Sequence, residues 1–306
     1  MEAVALAWGC AMHTLWELCQ AQYFPRRLQT GPQTRRQYRL ALNDWARFLG
    51  REPELSDLTD DSLLLWMRDL MDRRDSRGRP LSPWTINERV GRVKTFWGWM
   101  FKRGKVSTFP TVPRLPVPDP TPRAWTKPQL GQLFAGADLE GGKIAGIPAR
   151  LWWRARLAFH WFTPERKGAA DQLRMEWVDL ARGVCVIPAT VRKGRRKAGV
   201  YDLPPALVEV LRAIWEPPRD LVFPWDRCEA VYWQRWNRIL KNAGLPPGRR
   251  SKTQALRISH ATWRKKMGDD PTKALQHSDP ATTQRFYLDK TFDEQPGPLF
   301  DPWSEP

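Results

Sequence analysis

Histidine and cysteine are scarce in this chain of 306 residues, with four of each. Cys10, Cys19, Cys185 and Cys228 are scattered, without a CxxC pair or zinc-ligand spacing. That excludes a disulfide framework and a zinc module, and fits reduced, mostly buried thiols of a cytoplasmic protein. So few imidazoles leave metal chemistry short of ligands. There is no P-loop, GxGxxG, HExxH or GxSxG, so neither cofactor nor metal is expected. No apolar run approaches the roughly 20 residues that span a bilayer, so no membrane association is expected. The opening MEAVALAWGCAMHTLWELCQ lacks the basic start of a signal peptide. Tyrosine is also sparse, at 5 residues, but 18 Trp and 12 Phe exclude wholesale disorder.

Positive charge is what the chain has in excess: 50 Lys and Arg against 33 Asp and Glu, a net +17. A soluble protein so charged suits a polyanionic partner, because neutralising phosphates releases condensed counterions. A coding bias toward Arg, Pro and Trp would give a similar composition, so placement decides more than number. The basic residues cluster at Arg35-Arg36, Arg73-Arg74, Lys102-Arg103, Arg192 to Lys197, Arg249-Arg250 and Arg264 to Lys266. Such a spread suits a protein that wraps double-stranded DNA better than one with a single basic tail.

A length of about 300 residues suggests two domains. The boundary is the stretch from Phe109 to Arg123, FPTVPRLPVPDPTPR, which can hold neither a helix nor a central strand. Before it the pattern is helical. Tyr38, Leu42, Trp45 and Leu49 share one helix face. Thr59 is an N-cap candidate for an apolar segment from Leu63 to Met71, and Ser82-Pro83 is a strong helix start. After it Ile86, Val90, Val93, Trp97 and Met100 form the best amphipathic stripe in the chain. Arg89, Arg92, Lys94 and Lys102 lie off that stripe, where a phosphate backbone or plain solvent would meet them.

Beyond the boundary helix and strand mix. A helix should follow Thr126, and Leu151 to Phe162 is apolar all round, as in a buried helix. Val184–Ile187 and Val200–Leu203 read as strands flanking the basic turn TVRKGRRKAG, which contains Arg195 and Arg196. Further helices are expected at Ala206–Trp215, Ala230–Ala243 and Thr253–Met267, then an irregular tail.

Five segments in this second part stand out. They are Thr163-Pro164-Glu165-Arg166-Lys167-Gly168 with Leu173-Arg174; Lys193-Gly194; Gln254-Ala255-Leu256-Arg257 with Ala261-Thr262; Leu275-Gln276-His277-Ser278; and Thr282-Thr283-Gln284-Arg285-Phe286-Tyr287. Each is weak alone, but their order resembles the motifs of the tyrosine recombinase, or phage integrase, family over about residues 34–290. The resemblance implies Arg166 and Arg257 as catalytic arginines. Lys193 is the first candidate for the catalytic lysine and Lys197 the second. Gln254 falls where the family usually has His, His277 falls on its His/Trp position, and Tyr287 falls on the nucleophile.

The departures are specific. Pro164 replaces Gly, and Ala169 replaces an acidic residue, with Asp171 near enough that its compensating or not stays open. Ile258 stands where a second His is frequent, and His260 is out of register. Tyr287 lies one residue further from His277 than is common, so Phe286 fills the commoner slot.

These residue types suit phosphodiester exchange. Two guanidiniums can pair with anionic phosphate oxygens and hold the charge that builds on them. A phenol of pKa ~10 needs nearby cations to become a nucleophile. One ester replaces another, so no ATP is needed.

The resemblance therefore implies a mainly α fold with a small antiparallel β-sheet. A helical core-binding domain (1–110), a linker (111–125), a catalytic domain (126–292) and a tail (293–306) follow. It also implies site-specific cleavage and rejoining of DNA through a 3′-phosphotyrosine, by a homotetramer on the duplex. A catalytically degenerate DNA-binding relative is the alternative. RNA binding and type IB topoisomerase activity fit less well, given the core spacing of most Trp and the linker with its helical N-terminal part.

Overall fold

The computed structural model describes residues 14–27, 30–194, 197–216, 218–248 and 252–293. Arg195, Arg196, Arg249, Arg250, His13 and the tail beyond Asp293 lie outside them. The chain divides into two units, Met1–Pro118 and Asp119–Pro306.

The first unit is helical: α1 (Leu15–Leu18) running into a π-helical turn (Cys19–Tyr23), α2 (Pro32–Leu49), α3 (Asp60–Asp72) and α4 (Pro83–Phe101). The residues expected to start two of these helices do so. The Thr59 hydroxyl accepts from the Ser62 amide, and that of Ser82 accepts from Thr85, with Pro83 at the first helical position. The α4 stripe from Ile86 to Met100 is buried against Tyr38, Leu42 and Trp45 of α2 and Leu63, Trp66 and Leu70 of α3. Burying each such side chain is worth about 1.5–3 kcal/mol, so this stripe is what makes the three helices one body. The short α1 carries no apolar period and was not expected. A reciprocal cap between Thr14 and Glu17 starts it.

The second unit opens with α5 (Lys127–Asp138), capped by Thr126, and a small hairpin, β1 (Lys143–Ile144) with β2 (Ile147–Pro148). Next come α6 (Ala149–Phe162) and α7 (Lys167–Ala170). An antiparallel meander is formed by β3 (Val178–Asp179), β4 (Val184–Ile187) and β5 (Gly199–Asp202), with Cys185 opposite both Val178 and Tyr201. Then follow α8 (Pro205–Arg212), α9 (Glu229–Asn242), α10 (Gln254–Lys266), α11 (Pro271–Ala274) and α12 (Pro280–Phe286).

As its composition demands, α6 is the core helix: Trp152, Trp153, Leu157, Phe159 and Trp161 are all buried. The structure corrects some ends. α8 stops at Arg212 rather than Trp215, and the Ile214 and Trp215 amides close tighter turns onto the Leu211 and Arg212 carbonyls.

The proline-rich stretch gives its halves to different units. In the first, the Asn87 side chain bonds both backbone groups of Leu115. In the second, the Ala124 amide donates to Asp289 and the Trp125 amide to Ser259 Oγ. Among the described residues no helix is long and apolar enough to cross a membrane, and no group of three or more His, Cys, Asp or Glu could hold a metal ion.

Candidate active site

Helix α6 cannot continue through Pro164, so the chain leaves it extended at Thr163 and delivers Arg166 to the N-cap of α7. Helix α10 starts at Gln254 and presents Arg257 one turn later on the same face. Arg257 is only 2% exposed. Its Nη2 donates to the Leu275 carbonyl at 2.9 Å and lies 2.8 Å from His277 Nε2. Its Nε and Nη1 have no hydrogen-bond partner among the described residues. Burial, then the neighbouring Arg166, lowers its pKa to about 10.

The second guanidinium converges on the same place. Arg166 Nη2 is 3.4 Å from His277 Nε2 and 3.4 Å from the Tyr287 hydroxyl. Two cationic donors facing Nε2 require that nitrogen to be an acceptor. The ring proton is then on Nδ1, donated at 2.9 Å to Thr283 Oγ1. Burial, followed by Arg257 and Arg166, lowers the His277 pKa to about 4, so the imidazole is neutral at pH 7.

Tyr287 ends α12 and is 7% exposed, its ring edge-to-face with His277 at 4.7 Å and beneath Arg257 at 5.3 Å. Phe286, in the commoner slot, is 45% exposed and packs under Arg285. The extra residue before the tyrosine is therefore absorbed by α12.

Burial alone would raise the phenol's pKa. Arg166, Arg257 and a hydrogen bond from Gln254 outweigh it, and the net direction is down. Tyr38, Tyr201 and Tyr232 are all shifted up, burial being the largest cause each time. Of these four phenols, Tyr287 is the one shifted toward ionisation. Two guanidiniums, a neutral imidazole and the Tyr287 phenol thus meet in one largely buried place, a set of groups chemically able to hold an anion beside a hydroxyl.

The other expected residues fall variously. Gln254 reaches the Tyr287 hydroxyl. Lys193 is exposed in the loop between β4 and β5, and Lys197 is exposed on its far side. Asp171 does not face Arg166, because its carboxylate is taken by Arg156 and Lys167. His260 is buried with Nδ1 2.7 Å from the Trp161 carbonyl, a structural role.

In the first unit Arg89 pairs with Asp44, and Arg92 pairs with Glu88 and lies over Tyr38. Lys94 donates to the Val112 carbonyl, and Lys102 is exposed at the end of α4. Sequence reading missed Glu165, Arg192 and Thr283. Only the acidic residue immediately before Arg166 could have drawn attention to the first of these.

The fold is that of solved integrases and site-specific recombinases. The chain aligns with a lambda integrase dimer bound to a COC′ core site (TM-score 0.68, 14% identity, 92% of this chain and 98% of that one). It aligns also with the Tn1549 transposon integrase in complex with transposon right end DNA (0.64, 15%, 90% and 95%). A third match is XerH site-specific recombinase in a post-cleavage complex with a palindromic difH substrate (0.62, 19%, 83% and 76%). No protein-family model matches the chain, and no curated protein matches its sequence. The likeness is one of fold, mainly helical with small antiparallel sheets.

Proposed function

We propose that this protein is a site-specific recombinase that cleaves and rejoins double-stranded DNA through a covalent 3′-phosphotyrosine. The observation that carries this reading is the buried Arg257 guanidinium, with two donors unpartnered, beside Arg166, His277 and the activated phenol of Tyr287. A buried, half-paired cation is costly unless an anion comes to it.

In the proposed step a scissile phosphate takes the unpartnered donors of Arg257 and the Arg166 Nη2 that now faces His277. The Tyr287 oxygen attacks phosphorus, a P–O bond to tyrosine forms and the bond to the 5′ oxygen breaks. Lys193 protonates that departing oxygen. A 5′ hydroxyl then reverses the reaction and releases the tyrosine. His277 gains a nearby anion, which raises its pKa and favours a proton on Nε2 facing a phosphate oxygen. Gln254 holds the phenol but cannot accept its proton, so the phenolate must form by loss to water.

Residues 1–110 would clamp the duplex, with Arg89, Arg92, Lys94 and Lys102 toward its backbone and Arg195 and Arg196 added from the catalytic domain (126–292). Residues 111–125 would link the two domains. The aligned structures include a lambda integrase tetramer bound to a Holliday junction. A tetramer of this chain on DNA, working in the cytoplasm, follows from the same reading.

The test is capture. The protein is mixed with a pool of nicked random duplexes, denatured, and DNA that stays attached is amplified and sequenced. A recurrent site attached through wild type and absent with Tyr287→Phe supports the reading. Recovery of a recurrent site only when the denaturation step is omitted would leave a DNA-binding protein instead.

A further inference from the structure

The loop that carries Lys193 is fastened to the anion site by side chains for which the resemblance gives no role. Glu165, the residue before Arg166, is 3% exposed, and its carboxylate collects three donors. Oε1 accepts from Arg192 Nε at 2.5 Å and from the Tyr201 hydroxyl at 2.6 Å, and Oε2 accepts from the Arg166 amide at 3.2 Å. Arg192 precedes Lys193, and its Nη1 crosses the loop to the Lys197 carbonyl at 3.0 Å. One guanidinium therefore closes the loop on itself and ties it to the segment that presents Arg166.

Space here is fully used. A Cβ on Gly199 would stand 2.9 Å from the Tyr201 ring and 3.1 Å from both Arg192 Nε and Glu165 Oε1. Glycine is what allows β5 to close over the cluster.

A second latch acts from the other side. The Gln276 side-chain amide donates to the Val200 carbonyl of β5 at 3.1 Å. Gln276 has φ 52°, a left-handed backbone that strains a residue bearing a side chain. His277 follows directly. The strained residue thus turns the chain to deliver His277 while its own side chain holds the hairpin.

Building on the proposed reaction, we propose that Glu165, through Arg192 and Tyr201, and with Gln276 as a second latch, positions Lys193 for proton donation to the departing 5′ oxygen. Glu165 is a positioning residue, two bonds removed from the reacting atoms.

Two measurements test this. The first needs no DNA: hydrogen exchange of residues 197–203 in Glu165→Gln and Arg192→Lys. Faster exchange there, with α6 and α10 unchanged, is expected, and unchanged exchange overturns the clamp.

The second uses the duplex recovered by capture, with either oxygen or sulfur at the 5′ bridging position. A thiolate leaves without protonation. Glu165→Gln should slow cleavage of the oxygen ester roughly 10²-fold, the low end for loss of a general acid, and cleave the sulfur ester nearly as wild type does, as should Lys193→Ala. Equal loss on both esters, or none on the oxygen ester, overturns the proposal. No adduct from wild type on either ester would instead sink the assignment of Tyr287 as nucleophile, and the exchange result would still judge the clamp.

Discussion

Removing the most polar group in the anion site should make the folded protein more stable. Arg257 is charged, 2% exposed and adjacent to Arg166. Each tenfold in proton affinity is about 1.4 kcal/mol, so a guanidinium pKa of about 10 means the charged form is disfavoured by about 3 kcal/mol on folding. The sign is plain. At pH 7 folded and unfolded chains both hold the proton, so this destabilisation is fully present and would be relieved only above the folded pKa. Against it stand the two bonds to the Leu275 carbonyl and His277, each returning about 1 kcal/mol net.

Arg257→Met keeps the aliphatic stem and its packing and removes the charge. Stability should therefore rise by about 1 kcal/mol, the surplus of the penalty over the two bonds. Urea unfolding at pH 7, comparing midpoints at equal slope, is the assay. Inorganic phosphate supplies the control. At 100 times its Kd it should stabilise wild type by about 2.7 kcal/mol and the methionine variant little. A methionine variant destabilised by more than about 2 kcal/mol would refute the reasoning, because Arg257 would then be a structural cation rather than one awaiting an anion.

Three further outcomes follow from the same coordinates. Moving the phenol to the commoner slot, in the double variant Phe286→Tyr, Tyr287→Phe, should give no covalent DNA adduct on a denaturing gel, since position 286 is exposed and away from Arg166. An adduct would mean that α12 re-registers freely. Acid should destabilise the fold as pH falls from 6.5. The folded chain holds His277 neutral down to about 4 and His260 down to about 3, while the unfolded chain takes up those protons earlier. A urea midpoint that rises between pH 7 and pH 4 would contradict this. Gln276→Val should cost at least about 1 kcal/mol in thermal unfolding, because a β-branched residue fits φ 52° poorly. Gln276→Gly should relieve that strain yet loosen the hairpin, read as faster exchange in β5.

Much of the framework was legible because helices announce themselves locally. The stripe from Ile86 to Met100, the caps at Thr59, Ser82 and Thr126, and the apolar run that became α6 each rest on contacts within a few residues. The order of Arg166, Arg257, His277 and Tyr287 was legible as well, since motifs are written along the chain. Less visible was which charged groups meet. Whether Asp171 stands in for an absent acid near Arg166 was open in the sequence, and the fold decides it: Arg156, on the inward side of α6, and Lys167 take its carboxylate. Arg89 is an off-stripe arginine in sequence, and in the fold it pairs with Asp44 from a helix far away in the chain.

By itself, then, the amino-acid order set the helical faces, the break at the proline-rich stretch, the excess of cations and the candidate nucleophile. All of these depend on short-range periodicity and composition. The folded chain alone decided that Tyr287 rather than Phe286 turns inward, that two arginines shift its phenol toward ionisation, and that Glu165 and Gln276 hold the Lys193 hairpin. Those outcomes depend on contacts between residues 27 to 121 positions apart, and electrostatic and hydrogen-bond energies fall too steeply with distance to be read from spacing along a chain.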